Sequence, residues 1–319
     1  MRQELVSYYF KGLVLLALLA LVQACSKDEG PTPTTTTTTP LSGTRYLDSI
    51  FTSIMESKEV KYGANVNQAG VAIDLLMNIY EPANDTETNR PLIILAHGGG
   101  FAEGSKEDFD QLAKSYAHSG YVAATIGYRL MTDPGGQSLK LAVVDAVQDM
   151  KAAVRYFTID GKHSINPNNI FVGGFSAGAV MGLHYAYFDD EEIAMVPMEM
   201  QNHIASTGGL SGNSGNPGAS EAIKGVINIS GGLFRANWVD AGDPILYSIH
   251  GSLDNCTIDP DSPGNPDGDF IEGSCLIHPL LDSLGIINQF RKIEGGDHGV
   301  YFTCSDCNAE MRKFIFDNL

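Results

Sequence analysis

Ser176 stands between two glycines in Gly174-Phe175-Ser176-Ala177-Gly178, and the flanking residues place it where a buried strand turns into a helix. Asn169-Ile170-Phe171-Val172-Gly173 is a short apolar run of the kind a buried strand shows, and Ala179-Val180-Met181-Gly182-Leu183-His184-Tyr185 continues as a helix. So sharp a turn strains the serine, excludes bulk two residues before and after it, and exposes the hydroxyl at the helix N-terminus as a nucleophile. A plain glycine-rich turn has the same five-residue pattern, so the motif needs a partner before it indicates chemistry.

That partner lies upstream. Pro91-Leu92-Ile93-Ile94-Leu95-Ala96 predicts a second buried strand, and it runs straight into His97-Gly98-Gly99-Gly100-Phe101. Acyl transfer develops negative charge on a former carbonyl oxygen, which fixed donors must meet about 3 Å away. Successive glycines let the backbone approach that oxygen, so the amides of Gly99, Gly100 and Ala177 are the expected oxyanion donors. A flexible turn after a strand is the competing interpretation, and two such motifs in register speak against it.

A base and an acid are then required. Pro244-Ile245-Leu246-Tyr247-Ser248-Ile249 predicts a strand ending in His250-Gly251-Ser252-Leu253-Asp254, and Asp254 is the expected acid. Ile287 to Ile293 predicts a further strand ending in Glu294-Gly295-Gly296-Asp297-His298-Gly299, which puts the expected base, His298, on a glycine-flanked loop. Asp240, Asp243, Asp259 and Asp261 lie near Asp254 but lack its strand-then-glycine setting. His118, His163, His184, His203 and His278 sit in no catalytic pattern, and His250 reads as a strand-end framework residue.

With these residues in view, the chain resembles a carboxylesterase of the α/β-hydrolase superfamily, of the kind with an H-G-G-G oxyanion loop. The order serine, aspartate, histidine is that of the superfamily. The resemblance covers about residues 65 to 319, with Tyr128-Arg129-Leu130, Asp149 and the run Ala152 to Phe157 matching the framework. It implies an α/β fold with a mostly parallel central sheet, helices on both faces and a small cap insertion. It also implies an orienting role for His97 without proton transfer. Phe175 and Ala179 depart from the G-D-S-A-G-G elbow of hormone-sensitive-lipase-like esterases, and with His250 to Asp254 they bring the chain nearer to bacterial feruloyl and acetyl esterases acting on plant-wall glycans. The implied activity is hydrolysis of carboxylic esters, with no cofactor and no metal. A catalytically idle fold used as a surface glycan-binding or adhesion module is the alternative outside enzymes, and a serine peptidase the alternative within them. The presence of every triad and oxyanion residue favours the esterase.

The N-terminus addresses location. Leu13 to Val22 is apolar but too short to span a bilayer, and with Arg2 and Lys11 before it and Leu21-Val22-Gln23-Ala24-Cys25 after it, it reads as a signal peptide over 1–24. A small residue before cysteine is similar to a lipoprotein processing site, which implies diacylation of Cys25. Ser26-Lys27-Asp28-Glu29 is similar to tracts that send bacterial lipoproteins to the outer face of the outer membrane. The threonine- and proline-rich stretch over 25–44 cannot bury a core and is expected to be a tether. Residues 45–319 then suit one catalytic domain, with a possible cap over 189–221 carrying Met195, Met198 and Met200.

Cys256, Cys275, Cys304 and Cys307 remain, an even number behind a secretory signal, and two disulfides are expected among three possible pairings, of which Cys256 with Cys275 and Cys304 with Cys307 is the favoured one. Net charge is −18, and the first 44 residues contribute three basic and three acidic groups, so the excess lies on the domain and nucleic acid is not an expected partner. The acidic loop of Asp259, Asp261, Asp267, Asp269 and Glu272 does not fit an EF-hand, because Pro263 would fall on the first ligand position, and it reads as a solvated surface loop. The expected partners are an ester substrate, small or glycan-linked, and a membrane reached through Cys25.

Overall fold

The computed structural model describes residues 43–254 and 271–319, which fall within one compact unit. Cys25, Cys256 and the acidic loop as far as Asp269 lie outside the described residues. Two strands form an antiparallel hairpin at one sheet edge, β1 (Ile54–Val66) and β2 (Ala72–Pro82). The other strands run parallel to one another: β3 (Arg90–Ala96), β4 (Val122–Ile126), β5 (Ile165–Phe175), β6 (Gly225–Ile229), β7 (Ile245–Gly251) and β8 (Asn288–Ile293). The spatial order is β1-β2-β4-β3-β5-β6-β7-β8. The mostly parallel sheet expected from the motifs is therefore present.

Apolar continuity explains the layering. β3 is buried along its whole length, with Leu92, Ile94 and Ala96 facing one core cluster and Ile93 and Leu95 the other. The first cluster is completed by α2 (Leu139–Asp160), α3 (Ala177–Tyr187), α4 (Met198–Ser206) and α5 (Ser274–Leu284), the second by α1 (Asp110–His118) and α6 (Cys307–Asp317). A strand buried on both faces gains about 25 cal/mol for each Å² of apolar surface removed from water, which is why these runs lack the polar alternation of a one-sided sheet. No helix among the described residues is long and apolar enough to cross a membrane.

The segment 189–221 docks on α2 and β1. Gln148 donates to Thr207 Oγ1 (2.7 Å) and to the Gly209 carbonyl (2.8 Å), and Arg155 donates to the carbonyls of Ser211 and Gly215. Asn65 donates to Ser214 Oγ at 2.8 Å. Met200 and Ile204 are buried in the core, whereas Met195 and Met198 are exposed. None of these bonds reaches Ser176, Asp254 or His298.

Arg129 is the polar pivot of this half of the molecule. Its Nε donates to both Asp149 oxygens (3.0 and 2.9 Å), and one terminal nitrogen reaches Asp145 Oδ1 at 3.0 Å, all fully desolvated. Burial pushes the Asp149 carboxyl upward, against the pull of Arg129. The pair fixes the segment after β4, where Tyr128 Oη donates to the His97 carbonyl (2.9 Å) and Met131 N donates to the Phe101 carbonyl (2.7 Å). Arg129→Met should destabilise the fold by about 3 kcal/mol or more, because it strands a buried carboxylate. Urea denaturation checks this, and a loss below about 1 kcal/mol would contradict it.

Candidate active site

The elbow is built where β5 meets α3. Ser176 has φ 52° and ψ −115°, outside the regions L-residues prefer, and its amide donates to the Ile229 carbonyl at 2.8 Å. A Cβ on Gly174 would lie 1.9 Å from the Ala96 carbonyl oxygen, and one on Gly178 would lie 2.3 Å from the same atom. Both glycines are therefore required by the end of β3, the strand that delivers the His97-Gly98-Gly99-Gly100 loop. That close approach brings the two motifs together.

In the glycine loop, Gly99, Gly100 and Phe101 all have positive φ (106°, 60° and 61°). Among the described residues no backbone bond engages the amides of Gly99 and Gly100, and Ala177 opens α3, where the first amides lack intrahelical acceptors. His97 is buried. Its Nδ1 bonds the Gly98 carbonyl at 2.7 Å and its ring stacks on Tyr128 at 4.4 Å, while burial holds its pKa below the ordinary histidine value. It braces the loop from within.

Asp254 and His298 meet because β7 and β8 pair in parallel, His250 opposite Lys292 and Gly251 opposite Ile293. The two following loops are cross-linked: Leu253 N donates to the Gly296 carbonyl (2.8 Å) and Gly295 N to Ser252 Oγ (2.8 Å). His298 Nδ1 then lies 2.8 Å from Asp254 Oδ2, and its Nε2 lies 2.9 Å from Ser176 Oγ. A carboxylate only accepts, so Nδ1 carries the proton and the neutral Nε2 accepts from the serine hydroxyl. Ser176, Asp254 and His298, separated by up to 122 positions, form one hydrogen-bonded line.

The electrostatics follow this geometry. The hydrogen bond to Asp254 raises the His298 pKa above its ordinary value, against an opposing pull from burial. Burial alone would raise the Asp254 carboxyl, but hydrogen bonds from His250 and His298 override it and lower the pKa to about 2. The His298 side chain is 49% exposed, so its ring is reachable from solvent.

Three features beside the line carried weaker sequence signals. His250 bonds Asp254 directly, which its position at a strand end did not reveal. Phe175 lies 5.0 Å from the His298 ring and 4.9 Å from Phe302, which is 60% exposed. Phe302 belongs to a short 3-10 turn, Val300–Thr303, followed at once by the Cys304–Cys307 disulfide. That disulfide has the expected partners. Cys275 is also disulfide-bonded, while its expected partner Cys256 is outside the described residues. The remaining histidines have partners away from the line: His118 the Phe51 carbonyl, His163 Glu81, His184 the Val180 carbonyl, His203 Asp145 and His278 Asn288.

Comparisons with known proteins agree with this architecture. Residues 77–231 match the BD-FAE family, an α/β-hydrolase esterase family, and the match covers the glycine loop and elbow but ends before Asp254 and His298. Mouse (Mus musculus) carboxylesterase 1D is 35% identical over 89 residues, covering 28% of this chain and 14% of that protein. The match therefore spans only a small part of that curated relative. Two solved structures share the fold: a truncated carbohydrate esterase from gut microbiota (TM-score 0.55, 18% identity, 82% and 95% of the two chains) and Thermogutta terrifontis esterase 2 phosphorylated by paraoxon (TM-score 0.56, 22% identity, 80% and 92%). The fold is that of the α/β-hydrolases.

Histidine NMR of the Ser176→Ala protein should show His298 titrating above the ordinary value of about 6.5, since the Asp254 bond favours the imidazolium. In the Ser176→Ala, Asp254→Asn double variant the midpoint should fall. An unshifted midpoint in the double variant would show that the carboxylate does not act on His298.

Proposed function

We propose that the protein is a serine carboxylic-ester hydrolase in which Ser176 is the nucleophile, His298 the general base and Asp254 the orienting acid. The observation that carries this reading is the hydrogen-bonded line Ser176–His298–Asp254 starting from a serine with φ 52°. Ser176 Oγ attacks the ester carbonyl as His298 Nε2 takes its proton, and Asp254 stabilises the imidazolium. The amides of Gly99, Gly100 and Ala177 receive the oxyanion. His298 then protonates the departing alcohol, and water repeats the sequence on the acyl-enzyme to release the acid. Because the base must be neutral, kcat/KM should rise with pH through a single step, with a midpoint above about 6.5, and then plateau.

The substrate reading is a small or glycan-linked carboxylic ester, with feruloyl and acetyl esters of glycans as the favoured class. Exposed Phe302 and Leu253 beside the line offer apolar support for one side of such an ester. Ser176→Ala should lower hydrolysis of p-nitrophenyl acetate by about 10⁴-fold or more, because a triad acts as a unit. Turnover near wild type in the purified variant would remove the proposed site. A panel of p-nitrophenyl acetate, butyrate and octanoate, methyl ferulate and acetylated xylan resolves the acyl and alcohol preference.

We also propose that the domain is tethered to the cell envelope through lipid on Cys25, on the outer membrane, with the stretch to residue 44 as spacer. The sequence Leu21 to Cys25 supports this. Cys25→Ser should abolish lipid attachment and move the protein out of the detergent-soluble membrane fraction or leave it unprocessed. Identical mass and partitioning in the variant and the wild type would refute the anchor.

A further inference from the structure

The Asp254 carboxylate is held by two imidazoles. Its Oδ2 atom lies 2.8 Å from His298 Nδ1 and 2.9 Å from His250 Nε2. The two rings differ in setting: the His298 side chain is 49% exposed, whereas that of His250 is 4% exposed. Behind His250 runs a buried polar chain. His250 Nδ1 is 3.0 Å from Ser274 Oγ, Ser274 Oγ is 3.1 Å from Asn228 Nδ2, and the same Nδ2 is 2.9 Å from Ser248 Oγ. Asn228, Ser248 and Ser274 are fully buried.

The direction of this chain is set by a backbone amide. Gly231 N donates to Asn228 Oδ1 at 2.8 Å, and a backbone N–H can only donate, so Asn228 must present its NH₂ to Ser274 and Ser248. Ser274 Oγ accepts from Asn228 Nδ2 and lies within hydrogen-bond reach of His250 Nδ1. A carboxylate only accepts, so His250 presents Nε2–H to Asp254. Three elements contribute: β6 supplies Asn228, β7 supplies Ser248 and His250, and the first turn of α5 supplies Ser274.

Resting on the esterase reading above, we propose that His250 is a positioning residue for the catalytic acid: a buried imidazole whose Nε2–H fixes the Asp254 carboxylate so that its alignment does not depend on His298 alone. The need is physical. Asp254 ends a short turn beyond β7, closed by its own amide on the Gly251 carbonyl (3.2 Å), and its other imidazole partner sits on an exposed loop and must pick up and release a proton in each cycle. An acid tied only to that ring would lose its anchor whenever the ring moved. The donor from His250 comes from the core and persists through the cycle. It also contributes to the low pKa of Asp254, which keeps the acid ionised.

The test compares two replacements of His250 in the full-length enzyme. His250→Phe keeps a ring but removes the donor, and His250→Gln keeps an amide N–H at about the reach of Nε2. With p-nitrophenyl acetate, His250→Phe should lower kcat about tenfold or more with KM nearly unchanged, and His250→Gln should stay within about threefold of wild type, as loss of an interaction aligning the acid predicts. In the background of Asp254→Asn, His250→Phe should cost nothing further, because its only route to the chemistry is then gone. Should His250→Phe fail to fold, Ser274→Ala serves in its place by removing the hydroxyl that holds His250 Nδ1, with a smaller fall in kcat at constant KM. Wild-type kcat in a folded His250→Phe protein overturns the inference, as does an equal loss in the Phe and Gln variants. Either result leaves the esterase reading standing if Ser176→Ala and Asp254→Asn are inactive, whereas an active Asp254→Asn protein removes the acid itself.

Discussion

The site depends on the contact of two backbones at the Ala96 carbonyl. β5 must become α3 within one residue while lying against the end of β3, and both Gly174 and Gly178 face that oxygen at a distance that leaves no room for a side chain. The cost of forcing Ser176 to positive φ, of order 1–3 kcal/mol, is met by the surrounding structure. Its amide bonds the Ile229 carbonyl, its carbonyl accepts from Val180 N, and α3 packs its buried residues between the sheet and α2. Replacing either glycine would force Ser176 away from the loop that carries Gly99 and Gly100.

Two polar clusters then aim what the close approach brings together. Arg129, Asp149 and Asp145 fix the segment whose Tyr128 and Met131 hold the glycine loop from outside, and Asn228, Ser274 and His250 hold Asp254 from the core. Each is fully desolvated and expensive to leave half-made, so each constrains geometry more than it adds stability. The His298 ring bonds Asp254 and Ser176 and is half-exposed, as the base role proposed for it requires. Its loop is held through the main chain, with Ser230 Oγ donating to the His298 carbonyl at 2.9 Å.

Much of this was legible in the sequence. The apolar runs Pro91 to Ala96 and Asn169 to Gly173, each leading into glycines, announced buried parallel strands and the two loops at their ends. Asp254 and His298, which the structure brings within hydrogen-bond distance, were singled out because each follows a strand and a glycine. Other features were less legible. The strand expected over Pro244 to Ile249 extends through Gly251, which places His250 inside β7 with a buried ring, a shift that propensity at a strand end does not signal. The methionines of 189–221 read alike in sequence, yet Met200 enters the core while Met195 and Met198 face solvent, because docking on α2 selects one face of a short helix.

The sequence alone determined the local pattern: a serine that must sit in a sharp turn, a glycine loop at the end of a buried strand, and the order of serine, aspartate and histidine along the chain. These follow from residue type and near-neighbour spacing, which backbone sterics and periodicity govern directly. Only the tertiary structure decided which groups touch across long separations. That His298 reaches both Ser176 and Asp254, that His250 shares the same carboxylate oxygen, and that a backbone amide on Gly231 orients the Asn228 amide behind it all depend on strand register and on burial. Hydrogen bonds of this kind are short and directional, so they are fixed by packing to within a few tenths of an ångström, a precision that no pattern along the chain encodes.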